Sequence, residues 1–197
     1  MAEPLANIVH LFRIAAPLPF FRMGIVGGGT MGSLALLTAI RLGVREVLVE
    51  DVSDVRLQVA RSMGATLAVN VATDEGREEA RRFAGHGLDL VLDASGTGTA
   101  RQAAFDLCRP GGLVMLLGMS SERSEIDFVT SIRKEHRVAM SFAYTPVDFE
   151  RSLALLKAGE IDLSPWTVEM PLEDGQKAFD RMTTAPGDTL KMLLRVN

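Results

Sequence analysis

The sequence predicts an α/β fold, a doubly wound parallel sheet of six strands followed by a C-terminal fragment of a second domain. Three observations support that expectation. Short apolar strands alternate with helical segments across residues 22–144, a turn of the form Gly27-x-Gly29-x-x-Gly32 joins the first of these strands to a helix, and the next strand ends in the acid pair Glu50-Asp51. Mostly apolar strands separated by crossover segments require a parallel sheet covered on both faces, with right-handed connections.

The elements follow in order. Pro4 opens a helix whose Leu5, Ile8, Val9 and Phe12 share one face, and Pro17-Leu18-Pro19 breaks it, so residues 1–21 read as an opening helix and linker. The first strand then enters the glycine turn. Gly27 permits the tight turn, Gly29 lets the backbone approach a pyrophosphate, and Gly32 allows the helix to pack closely on the strand. Thr30 and Met31 open that helix, where unpaired N–H groups face an anion. The second strand centres on residues 47–49. Asp51 follows Gly32 by 19 residues, a spacing that suits a carboxylate accepting hydrogen bonds from a ribose. A glycine turn alone is also a structural device; strand, turn, helix and acid together point to nucleotide binding.

Ser53 N-caps a helix running to Gly64, residues 66–69 form the third strand, and residues 73–83 are a charged segment. Residues 88–92 give the fourth strand, Asp93-Ala94-Ser95-Gly96 turns it into a helix, and Cys108 with Arg109-Pro110-Gly111-Gly112 closes that helix. Residues 113–117 make the fifth strand, 128–135 a short helix and 138–144 the sixth strand, completing a dinucleotide-binding unit over residues 22–145. Ligands of such sheets sit at the carboxyl ends of the strands, which gathers Gly27, Asp51, Ser95 and Gly118. In residues 146–197, Pro146 starts a helix to Lys157, ended by Gly159; a strand (166–170), a helix (172–182) and a last strand (189–196) follow. Two short strands and a helix normally need a partner sheet, so this stretch reads as a returning helix and the remnant of a second domain.

Composition bounds the function. At 197 residues and 47% hydrophobic, the chain can bury one good core or slightly more. A net charge of −4 argues against a nucleic-acid partner, which requires a basic surface. The single cysteine, Cys108, leaves no intramolecular disulfide and no multi-cysteine zinc site, and its FDLCRPGG setting reads as buried rather than reactive. The charge-free window of residues 23–40 has the length of a membrane span, but its five glycines belong to the phosphate-loop pattern. No basic region follows Met1, so no secretory signal is expected and the chain is expected to be cytoplasmic.

Taken in order, Glu3-Pro4-Leu5-Ala6 with His10, then IVGGGTMG, REVLVEDVSDVRLQVARSMGA, VLDASG, RPGG, RKEHRVAMSFAYTPVDF, LLKAGEIDLSP and PLEDGQKAFDRM, with Lys191 near the end, form a specific series. It resembles the zinc-dependent medium-chain alcohol dehydrogenases, most of all their polyol and threonine dehydrogenase branch. The resemblance covers essentially the whole chain. It implies a Rossmann domain binding NAD, hydride transfer between a secondary alcohol and that cofactor, and a dimer joined through strand six. It also implies that Gly118-Met119 receives the nicotinamide and that Phe142-Ala143 covers its carboxamide. Arg56 either lies over the adenine, as in the family, or is a solvated first-turn arginine. The chain departs from the family pattern at Ala143, where polyol enzymes often carry arginine, and at Phe20-Phe21, where a Gly-Asp turn is usual.

Family proteins are nearly twice this length, and their N-terminal GroES-like barrel carries the cysteine and His-Glu zinc ligands and the proton relay. A catalytic zinc needs about three protein ligands with one position left open. Cys108, His10, His86 and His136 lie on separate elements, and Glu3, whose family counterpart approaches the zinc, cannot hold a metal alone. No catalytic residue is therefore assigned. Two roles follow: the coenzyme-binding portion of an oxidoreductase, inactive alone and completed by a zinc domain or a separate catalytic chain, or a free-standing NAD-binding module without chemistry.

Overall fold

The computed structural model describes residues 1–16 and 21–196, so the expected break at Pro17-Leu18-Pro19, and Phe20 after it, lie outside the described residues. Six parallel strands, β1 (Arg22–Val26), β2 (Glu46–Asp51), β3 (Leu67–Asn70), β4 (Leu88–Asp93), β5 (Cys108–Leu116) and β6 (Arg137–Met140), form one sheet in the order β3-β2-β1-β4-β5-β6. The order reverses between β1 and β4, and their carboxyl ends lie in register with that of β2: Val26 pairs with both Glu50 and Asp93.

Alternation along the strands decides which helices cover which face. Met23, Ile25, Val47, Val49, Leu90 and Leu92 share one core with the opening helix α1 (Ala2–Ala15), α2 (Thr30–Arg41) and α3 (Asp54–Ser62). Val26, Leu48, Val69, Val91 and Val114 face the other way, toward α4 (Asp74–Ala84) and α5 (Gly98–Leu107). Local caps start the helices where the sequence places them: the side chains of Ser53, Thr73 and Thr97 each accept an N–H of the first turn. A short helix, α6 (Phe128–Arg133), precedes β6.

The returning helix α7 (Pro146–Lys157) packs on α1 through a buried carboxylate. Asp148 Oδ1 accepts from Arg13 Nε at 2.9 Å, and its Oδ2 accepts from the backbone N–H and hydroxyl of Thr145 and lies 2.8 Å from His10 Nδ1. The Arg13 guanidinium, aided by these hydrogen bonds, holds this carboxyl well below the usual range. Beyond it, β7 (Thr167–Pro171), α8 (Gly175–Thr184) and β8 (Lys191–Arg195) form a separate two-stranded parallel sheet with its crossover helix. Ile161, Leu163 and Leu190 join the first-face core and Trp166 packs against it, whereas Phe179 stays exposed.

Several expected boundaries shift. The breakers Arg109-Pro110-Gly111-Gly112 lie inside β5, not after a helix: Cys108 is already extended, and the surplus residues are absorbed as a register shift against Leu88 and Leu90 of β4. Strand six ends at Met140 instead of Tyr144, because Ala143 takes φ 57° and turns the chain away from the sheet. The tail helix starts at Gly175, after a single 3-10 turn at Leu172–Asp174, and the last strand begins only at Lys191.

Candidate dinucleotide site

The glycine turn does what its spacing requires. Gly27 has φ 108°, a conformation that L side chains rarely adopt. A Cβ on Gly32 would sit 1.9 Å from the Gly27 carbonyl oxygen, so only glycine lets α2 start this close to β1. Gly29, the N-cap of α2, has open space where a Cβ would stand, and no side chain caps the helix. The first N–H groups of α2, at Thr30, Met31 and Gly32, thus open onto a cradle that fits an anionic pyrophosphate. The Thr30 hydroxyl donates to the Leu190 carbonyl at 2.6 Å, which ties the tail, one residue before Lys191, to this loop.

At the end of β2, Asp51 is held from several directions. Its Oδ2 accepts from the Gly28 N–H at 2.7 Å, its Oδ1 from the Ser53 N–H at 2.9 Å, and Arg56 Nη1 stands 3.6 Å from Oδ2. The carboxylate is thereby fixed beside the glycine turn with lone pairs to spare for a sugar. Gly27, Gly29, Asp51, Arg56 and Ser95 line one cavity of about 1270 Å³.

Where β4 and β5 end, the backbone turns touch: a Cβ on Gly118 would lie 2.1 Å from the Gly96 nitrogen. Asp93 organises this contact, accepting from the N–H groups of Ser95 and Gly96, while Arg101 on α5 donates to the Gly118 carbonyl at 3.2 Å and to Ser124 Oγ at 2.6 Å. Burial raises the Asp93 carboxyl, and these hydrogen bonds and Arg101 oppose that rise. Asp93 and Arg101 escape sequence reading because each acts through folded neighbours, though an acid ending a strand before a glycine turn is a usable signal. Met119, just past Gly118, and Phe142, past β6, are both largely exposed and do not line the large cavity.

The residues present do not fit a catalytic zinc. Among the described residues no group of three His, Cys, Asp or Glu is placed to hold a metal. His10 is engaged by Asp148, His86 stands exposed in its turn, and His136 Nε2 lies 3.2 Å from the Cys108 carbonyl. Burial pushes the Cys108 thiol up to about 12, which makes it an inert core side chain. Glu3 is exposed at the start of α1, where its carboxylate accepts from Asn7. No helix among the described residues is long and apolar enough to cross a membrane.

Comparisons with known proteins agree with this arrangement. A family model described as zinc-binding dehydrogenase matches residues 30–158. The L-threonine 3-dehydrogenase of Shewanella frigidimarina is 32% identical over 198 residues, covering 98% of this chain and 56% of that protein. Among solved structures, the L-idonate 5-dehydrogenase of Escherichia coli superposes with a TM-score of 0.85 at 28% identity, over 95% of this chain and 54% of that one. The chain thus spans about half the length of the relatives it matches. With well over half of its residues matched by the family model and its glycine turn, strand order and tail in place, this chain belongs to the zinc-binding, medium-chain dehydrogenase family.

Proposed function

We propose that this chain is the NAD(H)-binding portion of a zinc-type alcohol or polyol dehydrogenase, an oxidoreductase acting on a secondary alcohol once a zinc-bearing segment or chain completes it. The observation that best supports this reading is the Asp51 carboxylate, fixed by the Gly28 N–H beside an uncapped helix N-terminus. The dinucleotide supplies the hydride acceptor when bound. The chain's own residues position it. The opening N–H groups of α2 meet the pyrophosphate, and Lys191, anchored through Leu190 and Thr30, adds a cation. Asp51 accepts the ribose hydroxyls, with Arg56 beside the adenosine. The paired turns at Gly96 and Gly118 receive the nicotinamide, flanked by Met119 and Phe142. Such a protein works in the cytoplasm as a homodimer, with no nucleic-acid or membrane partner.

A carboxylate at this position repels a 2′-phosphate. Fluorescence titration should therefore give NADH an affinity higher than NADPH by about tenfold or more, and Asp51→Ala should narrow the gap. Equal or tighter NADPH binding by the unmodified protein would refute the assignment. A second reading, a free-standing NAD-binding module, is favoured by the lack of a three-ligand metal cluster among the described residues.

A further inference from the structure

Glu50 is the buried acid that the dinucleotide reading leaves unused. Alternation along β2 places it on the face of Leu48, toward α4 and α5, opposite to Asp51. It is 4% exposed, lines the large cavity, and among the described residues its carboxyl has no hydrogen-bond partner. The cavity lies between α4 and α5, each of which packs on the sheet. At about 1270 Å³ it exceeds the roughly 300–1,000 Å³ of ordinary small-molecule sites.

Resting on the dinucleotide reading above, we infer that Glu50 is a specificity residue for the base: an aminopurine enters the cavity between α4 and α5 and Glu50 reads its amino edge. The connectivity of the ligand requires this direction. A ribose held by Asp51 at the carboxyl edge of the sheet carries its base into the adjoining space, whose apolar surfaces are Val52, Val71, Ala100 and Ala103, with Glu50 as the polar group on the sheet beneath. A protonated carboxyl offers one donor and one acceptor side by side. That pattern complements an exocyclic amino group next to a ring nitrogen, as a Gln or Asn amide does on adenine. An ionised carboxylate only accepts, and it meets the ring nitrogen's lone pair unfavourably.

Protonation is set by the surroundings. Burial pushes the Glu50 carboxyl up to about 7, against the attraction of Arg81 on α4 and with the help of Asp106 on α5. Arg77 of α4, His86, the Cys108 thiol, Lys134 and, at the sheet edge, Arg56 and Asp51 are the other charged or titratable groups around the cavity; Arg77 is bound to the Val71 carbonyl, and burial keeps the Cys108 thiol protonated. Base binding selects the neutral carboxyl, so affinity falls as pH rises past this value and binding takes up a proton.

The experiment is calorimetric titration of the chain with NADH and with ADP-ribose, which keeps the adenosine half, between pH 6 and 9. The parent affinity should fall toward about tenfold per pH unit at the alkaline end. Glu50→Gln, a permanent mimic of the neutral acid, should keep the low-pH affinity within about threefold and lose the slope. Glu50→Leu should weaken both ligands about tenfold at pH 6, and His86→Gln should leave the slope in place. A slope that persists in Glu50→Gln, or parent-like affinity in a folded Glu50→Leu, overturns the inference while leaving dinucleotide binding intact. Failure of the parent chain to bind NADH at any pH overturns both.

Discussion

Glu50 and Asp51 are neighbours in sequence, yet the fold treats them oppositely. Asp51 has N–H donors and Arg56; Glu50 has none of these and is held in a low-dielectric wall. Such a group weakens the fold at neutral pH. In the unfolded chain a glutamate ionises near 4.3, about 3 pH units below the folded value of about 7. As pH rises through that interval the unfolded state releases its proton first, so stability declines between about pH 4 and pH 7 and the penalty is constant above. The displacement corresponds to about 3–4 kcal/mol. Glu50→Gln should therefore unfold at higher denaturant concentration than the parent at pH 8 by that order, and match it near pH 4. Asp148 runs the other way: its lowered carboxyl contributes stability above about pH 4 that is lost on acidification, in parent and variant alike. Equal stability of the two proteins at pH 8 would mean that the buried carboxyl is held by a partner.

At the scale of elements, what the sequence showed plainly was whatever depends on local chemistry. The glycine turn, the Ser53 cap, the Pro146 start and the first four sheet strands read correctly because periodicity, caps and breakers act over a few residues. The bulge in β5 did not, since a Pro-Gly-Gly run signals a break whether or not the sheet carries it along, and only pairing with β4 decides. The shortened β6 was hidden for a similar reason: nothing in Ala143 announces a positive φ. This edge bears a testable surface. The N–H of Ser141 donates to Leu116 of β5, so alternation directs the Met140 N–H outward, to the free side. Met140 is 73% exposed, and Val138, Phe142 and, on α6, Ile132 are exposed apolar residues as well. An unpaired edge with such side chains favours pairing with a second copy about a two-fold axis. Met140→Pro removes an outward donor and no ladder bond to β5, so it should prevent the expected dimer without unfolding the chain. Light scattering that shows the unmodified chain as a clean monomer at tens of micromolar, roughly where a modest interface is already populated, would refute the pairing.

For the whole molecule, the consequence follows from which chemistry its parts can assemble. The proposed cofactor half of the site is built mainly from backbone, a helix N-terminus and two touching glycine turns, with one fixed carboxylate, all held by one core that also takes in α1 and the root of the tail. The metal half has no counterpart among the described residues, where Cys108 is inert, His10 is committed to Asp148, and Glu3 stands exposed, its carboxylate bonded to Asn7. Oxidising an alcohol at neutral pH in this family relies on a Lewis acid that lowers the alcohol's pKa. The chain alone should accordingly bind NADH but form none from NAD and a panel of alcohols and polyols, and elemental analysis should find well under one zinc per chain. Mixing it with a barrel-domain chain that carries Cys and His-Glu ligands separates the two functional readings. Zinc-dependent turnover on mixing supports the coenzyme-binding portion of a dehydrogenase, and continued silence with NADH still bound supports the free-standing module. Zinc-dependent turnover by the chain alone would contradict both, because it would require three metal ligands that the folded residues do not bring together.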